Sequence, residues 1–330
     1  MLAEIDEDYQ QEALTALIWL SYAERPLMVD ELAEALIVNP KSIPSVNTEN
    51  RLLDPLYVLD ILGSLVTVSL AGSSEPKLYV EVVNNAGLRP HTRNSEVRFA
   101  HFSVKEFLLS DAVRNATMFK VTIDHFPSHF FLVGSCLQYI IHCHNDPSGI
   151  SQSVRKTMPL ISYACQQWHV HLKKLSETAQ ISLEALVLSM FTTDGMFSLW
   201  TWISKPYTPR DECTPLPWAC NLGLVSVVKY LLDHGAEVDV WSDRRGTALC
   251  RAAGNGHVEI VKILLEHGAD ISKAETGEQE TALHQAAAGG FDEVVQILVD
   301  AGAQPSAKDH EDLSRPEGAG WIIWYILVCI

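Results

Sequence analysis

Positive charge is scarce in this chain. Its 24 Lys and Arg residues stand against 41 Asp and Glu, a formal net charge of −17 over 330 residues. That balance repels phosphate backbones, so nucleic acid is not an expected partner. Long apolar runs are missing too. The only lipid-like stretch is Trp321 to Ile330, which as a helix would reach about 15 Å, roughly half of a bilayer core. The N-terminus, Met1 to Asp8, is acidic and has neither the basic nor the apolar region of a secretory signal. No membrane association is expected, and a cytoplasmic location is. Cysteines occur at 136, 143, 165, 213, 220, 250 and 329. An odd number at irregular spacing is no disulfide framework and suits a reducing compartment.

Catalytic signatures are absent as well. No Gly-x-x-x-x-Gly-Lys-Ser/Thr phosphate loop occurs, and Gly72-Ser73-Ser74-Glu75-Pro76 lacks the last glycine of a nucleophile elbow. Neither enzymatic activity nor a cofactor is expected. Cys136, His142, Cys143, His144, His169 and His171 are metal-ligand types. Their spacing does not pair them as structural zinc sites do, and three consecutive helical residues cannot face one ion, so no metal site is expected.

What the chain has is a repeat. Thr214-Pro215-Leu216, Thr247-Ala248-Leu249 and Thr281-Ala282-Leu283 recur at 33 and 34 residues, and Gly235-Ala236, Gly268-Ala269 and Gly302-Ala303 keep step with them. Each threonine can cap a first helix, and Pro215 suits its first turn. Ala219, Ala252, Ala253, Ala286 and Ala287 allow close helix approach, and Gly223, Gly256 and Gly290 end the short helix. A second helix carries the stripes Val227-Val228/Leu231-Leu232, Ile260-Val261/Leu264-Leu265 and Val294-Val295/Leu298-Val299. Pro217 is expected to loosen the first helix of the first unit. These residues, with His284 after Thr281 and His257 after Gly256, closely resemble ankyrin repeats. The resemblance implies three repeats, 211–240, 241–272 and 273–306, stacked as a C-terminal solenoid that hides its apolar sides between neighbours. Residues 307–330 read as a truncated or aberrant tail, or else as a cover for the last open face.

Upstream, residues 11–22 predict an amphipathic helix. Asp30 is the expected cap of a second, with Val29, Leu32, Ala33, Leu36 and Ile37 on one face. A third helix is expected over 54–65, then strands at 66–70, 78–83 and 97–102 and a helix at 104–109. Three helices plus a small β-hairpin are the plan of a winged helix. Helical patterning continues at 130–141, 159–171 and 183–202. The segments 25–36 and 97–109 resemble fungal NACHT-type ankyrin proteins and a GPI inositol-deacylase-type winged helix. That resemblance implies a regulatory packing role and no hydrolase chemistry. The expected architecture is therefore mainly α, with a winged-helix domain over 1–115, a helical connector over 116–210 that packs on the first repeat, the repeats over 211–306 and the tail over 307–330. The same resemblance implies a fragment or relative of such a signalling protein.

Function is expected to be non-catalytic capture of a protein partner. In ankyrin arrays the partner lies on the concave face, made by first helices and hairpin tips. Carried onto this sequence, those positions are Trp218, Asn221, Leu222, Arg251, Asn255 and Gln285, with Trp241, Asp243, Arg244 and Arg245 at a tip. The arginines and tryptophans suggest an acidic partner; alternatively, the tryptophans pack against the connector and the arginines pair with nearby acids. The rival function is a winged-helix DNA-binding regulator. Against it, residues 1–38 hold nine acids and only Arg25, a net of −8 where a groove-facing surface needs the opposite sign.

Overall fold

The computed structural model describes residues 5–70, 77–78, 95–110, 128–145, 157–204, 214–240, 246–273 and 281–304. The chain divides into two compact units, Met1–Leu186 and Val187–Ile330.

In the first unit, α1 (Gln10–Tyr22) buries Ala13, Leu14, Thr15, Ala16, Leu17, Trp19 and Ser21, so burial runs round its middle and is not confined to the one face expected of an amphipathic helix. Arg25-Pro26 then breaks the helix, as the sequence indicates. A short strand not foreseen follows, β1 (Leu27–Met28). Next comes α2 (Val29–Ala35), which starts one residue ahead of the Asp30 expected to cap it. The reason is Glu31, whose carboxylate reaches back to accept the Met28 N–H at 3.0 Å. After α3 (Tyr57–Leu62) come β2 (Val66–Leu70), β3 (Lys77–Leu78) and β4 (Ser95–Phe99). They form a four-stranded antiparallel sheet in the order β1-β4-β2-β3, with Val68 and Val97 buried opposite one another. The strand expected over 97–102 stops at Phe99. His101 instead caps α4 (Phe102–Leu108), its Nδ1 accepting the Ser103 N–H at 3.2 Å. Residues 79–83 of the other expected strand lie outside the described residues.

Two longer helices complete this unit. α5 (Ser128–Asn145) and α6 (Ile161–Lys173) pack along each other, and α5 also meets α1. Trp19, Trp168, Tyr139 and Tyr163 are fully buried, with Trp19 edge-on to Tyr163 at 5.6 Å between centroids. Two of the three acids of α2, Glu31 and Glu34, are interior as well. Arg25 grips Glu31 through two hydrogen bonds of 2.7 and 2.6 Å, and Arg51 grips Glu34 in the same bidentate way. Tyr139 donates its hydroxyl to Glu34 at 2.8 Å. Such pairing is what a carboxylate stripped of water requires. α7 (Glu177–Ser182) closes the unit.

The stretch expected as one helix over 183–202 is two, α8 (Glu184–Thr192) and α9 (Met196–Ser204). Gly195 between them sits at φ +77°, a left-handed conformation costly for residues with a Cβ. The expected connector is thus shared between the units, with α5 and α6 in the first and α9 in the second.

The second unit continues as three helix pairs: α10 (Pro215–Leu222) with α11 (Val225–Asp233), α12 (Ala248–Ala253) with α13 (Val258–Glu266), and α14 (Ala282–Ala288) with α15 (Asp292–Asp300). α10 packs on α12 and α12 on α14, while the second helices form a parallel series of contacts. Ala219, Ala252, Ala253, Ala286 and Ala287 are fully buried where the first helices meet. The loosening expected at Pro217 does not occur. α10 runs through it, because Pro217 is the third residue of the helix, where an N–H would have no intrahelical acceptor.

Candidate partner-binding surface

The three units repeat their hydrogen bonds as well as their sequence. Leu224, His257 and Phe291 each donate a backbone N–H into the end of the preceding first helix, to Ala219, Ala252 and Ala286, at 3.0–3.1 Å. Ala236, Ala269 and Ala303 do the same at the end of each second helix, to Leu231, Leu264 and Leu298. Satisfying the orphan carbonyls this way lets the chain reverse in few residues. The N-terminal caps differ between units. Thr247 accepts from the Cys250 N–H at 3.4 Å, and in the third unit His284 Nδ1 accepts the Thr281 N–H at 3.1 Å. Thr214 Oγ1, expected to cap α10, finds no partner among the described residues. Pro217, at the third helical position, has no N–H to offer it.

Neighbouring units are tied along both rows. On the outer row, Lys229 pairs with Glu259 at 2.9 Å and Lys262 with Glu293 at 3.8 Å, exposed pairs one repeat apart. Between hairpins, Asp239 accepts the Asp270 N–H at 3.0 Å and lies 3.5 Å from Lys273 Nζ. On the inner row, Asn255 Nδ2 donates to the Arg251 carbonyl at 2.8 Å and lies 3.4 Å from Asn221 Oδ1.

Of the positions carried over from the resemblance, Asn255 is exposed and Asn221 and Gln285 are half-buried. Trp218, Leu222 and Arg251 are not exposed, which corrects the expectation; their exposures are 6%, 7% and 4%. Trp218 lies edge-on to Trp200 of α9 at 5.2 Å, within a group that includes Phe191 and Phe197. The Arg251 guanidinium sits 5.8 Å from the Trp218 ring centre. The helix ahead of the first repeat therefore fills the space that an open inner face would leave over Trp218, the packing alternative foreseen for the tryptophans. Trp241, Asp243, Arg244 and Arg245 lie outside the described residues. Trp200 was not singled out from the sequence, because no repeat marker accompanies it.

Elsewhere, the metal-ligand types noted in the sequence do not gather as a group. Cys136 and Cys143 are buried, and burial lifts the Cys136 thiol well above its ordinary value. Burial pushes His169 and His171 down to about 4, which keeps both imidazoles neutral. No described helix is long and apolar enough to cross a membrane.

Comparison with known proteins agrees with the periodicity. Residues 194–275 and 236–309 match the family model for ankyrin repeats in three copies. The chain carries ankyrin repeats, and the matched region begins in the turn between α8 and α9, ahead of the first Thr-x-Leu element. Azaphilone pigments biosynthesis cluster protein L of Monascus ruber is 28% identical over 278 residues, covering 78% of this chain and 55% of that protein. The human ASB11 ankyrin repeat domain, a solved structure, is 26% identical with a TM-score of 0.30, over 36% of this chain and 54% of that one. This chain spans about half the length of these relatives.

Proposed function

We propose that this chain is a non-catalytic, cytoplasmic scaffold that captures a protein partner on the concave face of its ankyrin solenoid. The reading rests on one observation above all: first helices packed through buried alanines, with polar Asn221, Asn255 and Gln285 along their less buried side. Ankyrin repeats generally mediate protein interactions, and an inner row held rigid by its neighbours presents side chains at low entropic cost. The anchors assigned to the partner are the tip residues Trp241, Asp243, Arg244 and Arg245 with the inner-row polar residues. Trp218, Leu222 and Arg251 support that row from within. The three helices α1–α3 and the antiparallel sheet support a winged-helix reading of residues 1–115. By resemblance, this domain and the helices that follow are packing elements of a NACHT-type signalling or recognition protein. The relative's name ties it to azaphilone pigment biosynthesis, and a scaffold acting within a biosynthesis cluster is compatible with this reading.

A photo-crosslinking amino acid placed at Asn255 on the inner row, or at Lys229 on the outer row, tests the proposal in cells. A discrete adduct with one protein from position 255 and none from 229 is the expected result. Identical adducts from both, or none from either, would count against it.

A further inference from the structure

Three segments distant in sequence bring ligand-type atoms to one point in the first unit. Glu24 follows α1, His129 is in the first turn of α5, and His171 is in the last turn of α6. One carboxylate oxygen and two imidazole nitrogens lie within 4.8 Å of one another. His129 Nδ1 and His171 Nδ1 are 2.9 Å apart, and His171 Nδ1 is 3.4 Å from Glu24 Oε1. Tetrahedral zinc with bonds of about 2.0–2.1 Å places its ligand atoms roughly 3.3 Å apart, and the two observed separations bracket that spacing.

The surroundings are those of a held ligand set. His171 is fully buried, and its other ring nitrogen, Nε2, is 2.9 Å from the Tyr163 hydroxyl oxygen. In the tautomer that donates Nε2–H to Tyr163, Nδ1 turns its lone pair toward Glu24 and His129. An oxygen behind a histidine is the usual outer support of a metal ligand. Tyr163 is itself fixed, since its oxygen accepts the Glu24 N–H at 3.1 Å and Arg25 lies over its ring at 5.0 Å. Glu24 and His129 are more open, which leaves a route from solvent. Lys174 Nζ is 2.7 and 2.8 Å from the two Glu24 oxygens. It orients the carboxylate and adds a competing charge.

We propose that Glu24, His129 and His171 form a binding site for one transition-metal dication, zinc by its mixture of imidazole and carboxylate ligands, with a fourth position open to water. The ion clips the end of α1 to α5 and α6. Because the three segments come together only on folding, binding stabilises the unit.

The full chain, stripped with chelator and titrated with zinc, should bind one ion per chain and melt at a higher temperature. Cobalt in place of zinc should give visible absorption bands. His129→Ala and Glu24→Gln, checked for folding by circular dichroism, should each weaken zinc binding by about 10–100-fold or more, and Tyr163→Phe by about 10-fold. Lys174→Met should tighten it by removing the neighbouring charge, and His142→Ala should leave it unchanged. The proposal is overturned if the folded wild-type chain binds no zinc. It is equally overturned if His129→Ala and Glu24→Gln bind as tightly as wild type, which would make the ion adventitious. Glu24 lies at the surface, so its variant gives a readout even if His129→Ala fails to fold.

Discussion

Glu34 has its side chain only 4% exposed, and what keeps it tolerable is the company of Arg51 and Tyr139. Arg51→Ala strands that carboxylate. Loss of a fully buried partner costs about 3–5 kcal/mol, but Arg51 is 39% exposed, so a loss of about 2–3 kcal/mol is the expectation. Tyr139→Phe should cost about 1–2 kcal/mol, since one hydrogen bond to a charged group is removed. Urea denaturation of both variants checks the ordering, Arg51→Ala below Tyr139→Phe. The positive-φ glycines that follow the repeat helices make a second case. Gly256 sits at φ +71°, and a Cβ there would run into the Phe291 ring of the following unit; Gly268, at φ +79°, has open space around it. Gly268→Ala should cost about 1–2 kcal/mol of backbone strain. Gly256→Ala should cost clearly more, measured by thermal melting, because strain and a clash between units add. Equal losses would show that the ring moves aside freely.

Among the elements, α9 and α10 carry the lesson about the candidate site. Periodicity alone placed the helix pairs of the repeats within a residue or two, since Thr-x-Leu starts, glycine stops and alternating stripes are local chemistry. It left Trp218 between two readings, partner contact or packing on the preceding helices, because a family's exposed position stays exposed only if nothing precedes the first repeat. Here α9 brings Trp200 against it. Trp218→Ala should therefore destabilise the chain by about 3–5 kcal/mol, as for a buried tryptophan elsewhere, and impair capture only through unfolding. Asn255→Ala, on an exposed position, should change stability by no more than about 0.5 kcal/mol. The pair Trp241→Ala and Arg244→Ala should lower partner capture with the melting temperature unchanged. Comparing binding at a temperature where all variants are folded separates these cases. The expected Thr214 cap lost its third-position donor for a reason equally local, Pro217 with no N–H, and that signal was present in the sequence.

At the scale of the molecule, the acidic balance argues against DNA, although simple counting overstates it. Two of the nine acids in residues 1–38, Glu31 and Glu34, are interior and matched by arginines. The other acids of that segment are not offset by any further base within it. Duplex DNA at low salt should show no mobility shift with the full chain, and a salt-sensitive shift would revive the regulator reading. Helix pairs, their turns and the mainly helical class were legible in the sequence, because each depends on residues within one turn or one repeat. Burial of Arg251, the choice between the two readings of Trp218, the pairing of Glu34 with a tyrosine 105 residues away, and the meeting of Glu24, His129 and His171 were not. Those features depend on which surfaces face each other once helices pack, and side-chain patterning along one element carries no record of its neighbour.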